Sequence, residues 1–292
     1  MDIKEFSAGV ADAVERAAAG VVTVNGRKRQ TASGIVWQPD LVVTADHVVQ
    51  RDDHLSIVTA DGTEHAAELV GRDGSSDIAL LRVPGANLTP AAFASVEPRV
   101  GQIVLAVGRP SEVQASLGII NAVGGPVRTR RGTLEQYLRT DATPYPGFSG
   151  GPLINVAGEV VGLFTSGLSG GEPVAIPAAV IAKVGENLRA HGRIRRGFLG
   201  ISSQTIDLPA NQRAGRAQEH GLLLVNVEEG SPAAQAGLLV GDILVGLAGQ
   251  QMGDPGDLQD LLRGDQVGQT VNAEVIRGNL LHTLAVTIGE RK

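Results

Sequence analysis

The sequence predicts a mainly β protein in which a larger all-β domain precedes a smaller α+β domain. Between residues 21 and 177, about a dozen short apolar runs are separated by turn residues, as in closed or sandwiched all-β domains. Glycine is abundant, at 39 of 292 residues, which suits a fold with many tight turns. The chain is also long enough for two hydrophobic cores, and with only 3% aromatic residues those cores must be aliphatic.

The elements of the first domain follow from apolar spacing. Apolar residues at helical intervals predict a helix over residues 6–19, with Ser7 as its cap. A second helix is predicted over 178–190 and ends before Gly192. Between the helices the predicted strands are 21–24, 35–37, 41–44, 55–59, 66–70, 78–83, 103–107, 116–123, 137–140, 159–165 and 174–176.

The last third of the chain changes pattern. Short helices are predicted over 232–236 and 257–262, and the strands around them are 222–227, 243–247, 271–276 and 282–288. The domain limits predicted from this pattern are 1–191, a basic linker 192–196, and 197–292.

Charge and composition exclude several kinds of protein. The net charge of −6, without a long basic run, argues against a nucleic-acid partner. The chain has no cysteine, so it has neither disulfides nor thiolate metal sites, and nothing in its motifs calls for a metal or an organic cofactor. No signal peptide or membrane-spanning stretch is evident. We therefore expect a cytoplasmic protein if Met1 is the native start, and an extracytoplasmic one if the chain was trimmed.

Residues 147–153 suggest a nucleophilic serine. Acyl transfer needs an exposed hydroxyl and backbone N–H groups directed at the developing oxyanion. The glycines around Ser149 permit a tight turn of that kind, with the N–H groups of Gly147 and Ser149 as the oxyanion hole. A glycine-rich hairpin with an incidental serine is the plainer alternative. The G-x-S-x-G elbow of α/β-hydrolases fits poorly, because that elbow needs a helix after the serine and residues 152–158 predict a hairpin.

A base and an acid complete the candidate site. His47 follows the apolar strand 41–44, a placement that would fix its ring at a rigid edge. Asp77 precedes the apolar run 78–81, which would enclose its carboxylate and let it orient an imidazole. Taken singly, either residue could be structural. The order His47, Asp77, Ser149 is that of chymotrypsin-like enzymes, in which the first two residues lie on one barrel and the serine on the next.

Three motifs resemble those of the HtrA (DegP-like) serine protease family. They are residues 44–49, 76–81 and 146–153, and residues 140–142 are also similar to that family. The resemblance implies two six-stranded β-barrels of the chymotrypsin (trypsin-like) type followed by a small α+β PDZ domain. It also implies a homotrimer, or a multiple of one, that degrades unfolded polypeptides and binds peptide C-termini at the PDZ domain.

The resemblance extends to the peptide-binding groove of a PDZ domain. Residues 196–201 resemble its carboxylate-binding loop, whose glycine turn offers N–H groups while a strand edge accepts the peptide. A purely structural turn at Gly200 remains open. The predicted peptide-binding residues are Phe198, Leu199, Gly200, Ile201, Leu258 and Leu262, and Leu261 lies on the same predicted helix.

The sequence departs from the family at Phe148 and Tyr145, where asparagine is usual, and in its lack of an export segment. Thr143 falls where trypsin-like enzymes carry a carboxylate at the base of the S1 pocket. Because no acid occurs from 142 to 158, we expect cleavage after small or medium apolar residues. The predicted pocket residues are Thr143, Tyr145, Phe148, Leu163, Phe164 and Thr165. The competing class is a catalytically impaired homologue that acts as a peptide-binding or chaperone module.

Overall fold

The chain folds into two compact units, one ending at Ile194 and the other beginning at Arg195. The computed structural model describes residues 2–290 except 130–131, 169–172, 196 and 263–265. The mainly β fold predicted from the sequence is confirmed, with two closed barrels followed by a small α+β unit. The division falls within the predicted linker 192–196, of which Arg196 lies outside the described residues. The exact domain limits stay a prediction.

The first barrel has the strand order β1-β2-β3-β6-β5-β4, and it closes because β1 pairs with both β2 and β4. Every neighbouring pair is antiparallel, and the inward side chains are mainly β-branched or leucine, which suits a small closed barrel. Its strands are β1 (Val21–Asn25), β2 (Ala32–Gln38), β3 (Leu41–Ala45), β4 (Leu55–Val58), β5 (Glu64–Asp73) and β6 (Ile78–Arg82).

The second barrel closes in the order β11-β14-β13-β12-β7-β8, and a short hairpin, β9 with β10, stands beside it. The buried rings of Phe148 and Phe164 belong to its core, which is otherwise aliphatic. Its elements are β7 (Ile103–Gly108), β8 (Gln114–Gly124), β9 (Val127–Thr129), β10 (Gly132–Leu134), β11 (Tyr137–Thr140), β12 (Pro152–Asn155), β13 (Val160–Thr165) and β14 (Val174–Pro177).

Two helices pack on the barrels. Helix α1 (Ile3–Ala18) contacts β7 and β12, and helix α2 (Ala178–His191) contacts β5, β6, β13 and β14. The predicted start of α1 was wrong: the helix begins before Phe6, and Asp2 rather than Ser7 caps it. Asp2 accepts a hydrogen bond from the N–H of Lys4, and Glu5 closes a capping box. Gly192 ends α2 in the left-handed conformation, as the sequence indicated.

The second unit is built on the sheet β16-β17-β18-β20-β21, with β19 paired to β18. Strand β16 lies at the edge of this sheet and is also contacted by α4. The sequence did not predict β16, because its serines, threonine and glutamine hide the alternation of a half-buried strand. The elements are β15 (Gly197–Phe198), β16 (Ile201–Asp207), β17 (His220–Val227), α3 (Pro232–Gln235), β18 (Ile243–Leu247), β19 (Gln250–Gln251), α4 (Pro255–Leu261), β20 (Thr270–Arg277), β21 (Leu280–Thr287) and β22 (Gly289–Glu290).

Candidate active site

His47 lies on a single 3-10 turn, Asp46–Val48, that follows directly after β3. The residues on both sides of it are buried, so the turn is anchored to the first barrel while the imidazole remains 19% exposed. This is the rigid strand end that the sequence predicted. The ring is therefore open to solvent on one side and held by protein on the other.

Asp77 is the residue that holds the protein-facing side of the His47 ring. It precedes β6 in a left-handed backbone conformation with φ +55°, and its side chain is fully buried. One carboxylate oxygen, Oδ1, accepts the backbone N–H of His47 at 2.9 Å, and the other, Oδ2, lies 2.7 Å from His47 Nδ1. An ionised carboxylate only accepts hydrogen bonds, so Nδ1 carries the proton and Nε2 presents its lone pair.

The two alternative acids, Asp46 and Asp73, contact groups other than the His47 ring. The Asp46 carboxylate lies 3.4 Å from the guanidinium of Arg72. Asp73 accepts hydrogen bonds from the hydroxyl and backbone N–H groups of Ser75 and Ser76, and so holds the turn that leads into Asp77. The sequence argument against both residues agrees with these contacts.

Ser149 lies in the tight turn between β11 and β12. Gly147 and Gly150 both have φ +89°, a conformation that favours glycine. A Cβ at Gly150 would lie 2.2 Å from the carbonyl oxygen of Ser33 and from Thr44 Oγ1, so the turn approaches the first barrel too closely for any side chain. A strand, β12, follows the serine rather than a helix, which excludes the α/β-hydrolase elbow.

A short segment, residues 165–167, touches all three predicted catalytic residues. The Thr165 hydroxyl donates to Asp77 Oδ2 at 2.5 Å. The Ser166 hydroxyl lies 3.3 Å from Ser149 Oγ, and a Cβ at Gly167 would be only 2.5 Å from His47 Nδ1. The fold therefore gathers the three predicted residues around one segment. Among the described residues, the hydrogen-bond partner of the Ser149 hydroxyl is Ser166 rather than His47.

Two backbone donors next to the serine are available. The N–H groups of Phe148, Gly150 and Gly151 are bonded to the carbonyls of Tyr145, Phe164 and Phe148 respectively. In contrast, the N–H groups of Gly147 and Ser149 make no hydrogen bond to any residue that the structure describes. Donors left unpaired in a buried turn are the kind of group that an oxyanion hole needs.

The predicted pocket residues divide into two groups. Thr143 and Tyr145 are exposed, and the N–H of Thr143 donates to Ser116 Oγ at 2.7 Å. The side chains of Leu163 and Phe164 are both buried: Leu163 belongs to the core cluster that includes the first barrel and α2, and Phe164 to the core of the second barrel. These two side chains therefore do not face a cleft, and a substrate could reach this strand only through its backbone.

Phe148 and Thr165 also belong to the buried group. Phe148 is 1% exposed and packs edge-on against Tyr145, with ring centroids 5.4 Å apart. The Thr165 hydroxyl donates a hydrogen bond to Asp77 instead of lining a pocket. The contact between Thr165 and Asp77 was missed from the sequence, because nothing local to residue 165 marks an acid 88 positions earlier.

In the second unit the predicted peptide-binding residues lie around the edge of β16. Gly200 has φ +78°, and a Cβ there would lie 2.2 Å from the Ser231 side chain. Leu199 and Leu258 are buried in the core instead of lining an open groove, whereas Phe198, Ile201 and Leu262 are partly exposed. The N–H groups of Leu199 and Gly200 donate to none of the described residues.

Metal-binding clusters and membrane-spanning helices are both absent from the part of the chain that the structure describes. Across residues 2–290, with the gaps given above, no cluster of histidine, cysteine, aspartate and glutamate could hold a metal ion. In that same portion, no helix combines the length and the apolar character needed to cross a bilayer.

Comparison with known proteins agrees with this geometry. Residues 32–163 match the trypsin-like peptidase domain, and residues 197–288 match the PDZ domain. The HtrA-type protease AlgW, solved with a tripeptide, is 30% identical, and the match covers 97% of each chain with a TM-score of 0.77. The chain belongs to the HtrA-type serine protease family.

Two further relatives are similar to this HtrA-type chain. A serine endoprotease from Yersinia pestis is 29% identical, with a TM-score of 0.77, and the match covers 97% of this chain and 98% of that one. A probable periplasmic DegP-like serine endoprotease of Ectopseudomonas mendocina is 36% identical over 276 residues, which are 90% of this chain. The chain spans 58% of that relative's length, so it corresponds to little more than half of it.

The comparisons overturn one expectation. The sequence suggested a cytoplasmic protein, but the curated relatives from Pseudomonas savastanoi, Ectopseudomonas mendocina and Rhizobium meliloti are named periplasmic endoproteases. The cytoplasmic expectation was wrong because it relied on the apparent start of the chain.

Proposed function

We propose that this HtrA-type chain is a serine endopeptidase in which Ser149 is the nucleophile, His47 the general base and Asp77 the residue that orients the base. The observation that carries the proposal is the buried Asp77 carboxylate bonded to both His47 Nδ1 and the His47 backbone N–H, together with the N–H groups of Gly147 and Ser149, which donate to none of the described residues. Together these supply a base in the correct tautomer and donors for an oxyanion.

The chemistry follows from these positions. The Ser149 hydroxyl leaves Ser166, gives its proton to His47 Nε2, and attacks the scissile carbonyl, whose oxygen becomes an oxyanion bound by the N–H groups of Gly147 and Ser149. The imidazolium is stabilised by Asp77 and then protonates the leaving amine as the C–N bond breaks. Water, deprotonated by the same imidazole, hydrolyses the acyl-enzyme and restores the serine.

Phe148 does not argue against this reaction. Its ring is buried in the core of the second barrel, and its backbone N–H is bonded to Tyr145. The side chain that replaces the family's usual asparagine is therefore turned away from the solvent-facing side of the turn. This placement favours an enzyme over a catalytically impaired binding module.

The substrates we propose are unfolded polypeptides cleaved after small or medium apolar residues. The exposed Thr143 at the predicted base of the pocket is uncharged, and residues 142–158 contain no acid to attract arginine or lysine. Digestion of a peptide library checks this preference. Cleavage mainly after arginine or lysine would contradict it.

For the PDZ domain we propose capture of peptide C-termini along β16. The edge position of β16, its contact with α4, and the N–H groups of Leu199 and Gly200 support strand addition with the carboxylate at the Gly200 turn. Peptide complexes of related proteins, AlgW with a decapeptide and with a tripeptide, agree with a peptide-binding role.

The PDZ proposal has a matched pair of tests. Gly200→Ala places a Cβ 2.2 Å from Ser231, whereas Gly230→Ala meets the same strain at φ +71° but open space. We expect a fluorescent peptide with a free C-terminus to lose at least tenfold in affinity for the first variant and little for the second. Equal binding of an amidated peptide by the wild type would exclude carboxylate capture.

We also propose assembly into a homotrimer or a multiple of it, in which Phe6 of α1 is the available N-terminal aromatic residue. Light scattering of wild type and Phe6→Ala tests this assembly. A wild type that is monomeric at all concentrations would contradict it.

Proteolysis itself is tested with casein and a fluorophosphonate probe. We expect the wild type to hydrolyse casein and to be labelled once, and Ser149→Ala to lose both activities. The exposed Ser111 provides the control, since Ser111→Ala should change neither. A folded wild type that does not label would favour the binding module over the enzyme.

A further inference from the structure

A fully buried serine of the first barrel holds the turn that carries Ser149. Ser33 lies in β2, and its Oγ is 2.7 Å from the carbonyl oxygen of Gly147. The same Oγ is 2.8 Å from the backbone N of Arg109, and the N–H of Ser33 donates to the carbonyl of Ser149 at 3.1 Å. Ser33 therefore contacts the turn on both sides of residue 148.

The direction of the hydroxyl bond is set by its neighbours. The backbone N–H of Arg109 can only donate, so the Ser33 oxygen accepts from it, and the single hydroxyl hydrogen is left for Gly147. Thr44 Oγ1 donates to the carbonyl of Ser33 at 2.7 Å and fixes the strand itself. Such a chain of buried bonds polarises each member and favours one arrangement of the turn.

The N–H of Ser149 lies between the peptide groups that Ser33 holds. In a trans peptide the C=O of one residue and the N–H of the next point in opposite directions, so the bonds from Ser33 to the Gly147 and Ser149 carbonyls fix the N–H groups of Phe148 and Gly150, on either side of the Ser149 N–H. Ser33 holds the carbonyls of Gly147 and Ser149, and the carbonyl between them, that of Phe148, accepts the N–H of Gly151 at 2.9 Å. With all three carbonyls engaged, the N–H of Ser149 has one available direction.

From this geometry we propose that Ser33 is a positioning residue for the oxyanion-binding N–H of Ser149. The inference rests on the proposed protease function and deepens it. Ser33 does not touch the substrate; it acts through the backbone of Gly147 and Ser149. It is a hydrogen-bond clamp on the second barrel's turn, supplied by the first barrel.

The variants that test the clamp are Ser33→Ala and Ser33→Cys. Alanine removes the hydroxyl, and cysteine keeps the approximate shape but replaces the hydroxyl with a weak donor. The control is Thr23→Val, which removes another buried hydroxyl bond, 2.7 Å long, to the carbonyl of Arg109 but none to the turn. All three variants are compared by thermal unfolding, by hydrolysis of fluorescein-labelled casein, and by the rate of fluorophosphonate labelling.

We expect Ser33→Ala to lower kcat and the labelling rate by about 10- to 100-fold with little change in KM, because oxyanion donors act in the transition state. Ser33→Cys should fall in between, and Thr23→Val should lose stability without losing kcat. A Ser33→Ala enzyme with wild-type kcat, or a Thr23→Val enzyme impaired to the same extent, would overturn the clamp. A wild type that is not labelled, or whose labelling survives Ser149→Ala, would defeat the proposed function and the clamp with it.

Discussion

Replacing Asp77 with asparagine should remove almost all activity while leaving the fold in place. The carboxylate accepts hydrogen bonds from the His47 N–H, from His47 Nδ1 and from the Thr165 hydroxyl. An asparagine amide has only one oxygen, so its NH₂ group must take the place of either Oδ1 or Oδ2 and face a hydrogen-bond donor of His47. The backbone N–H of His47 cannot give up its hydrogen, whereas the imidazole can shift its proton to the other nitrogen.

The amide therefore turns its NH₂ toward His47 Nδ1, and the imidazole responds by carrying its proton on Nε2. In that tautomer Nε2 has no lone pair for the Ser149 hydroxyl, and the base is lost although the ring stays in place. For this mechanism we expect kcat to fall about 10⁴-fold, equivalent to about 5.4 kcal/mol in the activation barrier.

Casein hydrolysis and fluorophosphonate labelling measure the loss, and circular dichroism checks the fold. Asp46→Asn is the matched control, because Asp46 adjoins His47 in sequence but lies beside Arg72. It should retain activity within about threefold, since it leaves the base and its orienting acid unchanged. A decrease of less than tenfold in Asp77→Asn would refute the tautomer reasoning.

Three further outcomes follow from the structure. Gly150→Ala should lower the free energy of unfolding by about 2–4 kcal/mol, because its Cβ would lie 2.2 Å from atoms of the first barrel. The control is Gly101→Ala, which has φ +88° and open space around its Cβ and should lose only about 1 kcal/mol. Denaturant unfolding measures both values. Burial raises the pKa of Asp242, but the hydrogen bonds from Arg277 and from the N–H of Leu239, together with the positive charges of Arg277 and His282, outweigh it and hold that pKa below its ordinary value. The stabilisation is therefore present above the ordinary carboxyl pKa and is lost as the pH falls through the lowered one. At neutral pH, Asp242→Asn should lower the free energy of unfolding by about 2 kcal/mol, a modest loss because Arg277 is partly exposed. The melting temperature of this variant should also depend less on pH than that of the wild type. Thr143→Asp should increase cleavage after arginine and lysine at least tenfold relative to cleavage after apolar residues, and an unchanged peptide-library profile would place the pocket elsewhere.

Much of the fold and of the candidate site could be predicted because the informative signals are local in sequence. Glycines around Ser149, the apolar strand before His47 and the apolar run after Asp77 each describe a local environment. Their order along the chain then selected one architecture. A short, nearly continuous apolar run was equally effective for β18, whose predicted limits agree with those observed.

The active-site contacts that were missed join distant parts of the chain. Thr165 reaches Asp77 across 88 positions and Ser33 reaches Gly147 across 114, and neither residue has a distinctive neighbourhood. The pocket prediction failed at Leu163 and Phe164 for a related reason: the sequence showed an uncharged strand but not that other parts of the chain bury both of its faces. Strand β16 was missed because an edge strand needs few apolar residues.

The division of the site between two barrels has a consequence for the survival of the enzyme. Ser33 and Thr44 belong to one barrel and the turn around Ser149 to the other, so loosening of either barrel separates the nucleophile from its support. A molecule that begins to unfold would then lose the hydrogen bonds that support Ser149, and its catalytic activity with them. A protease built in this way would be inactivated by its own partial unfolding, which would limit cleavage of neighbouring copies.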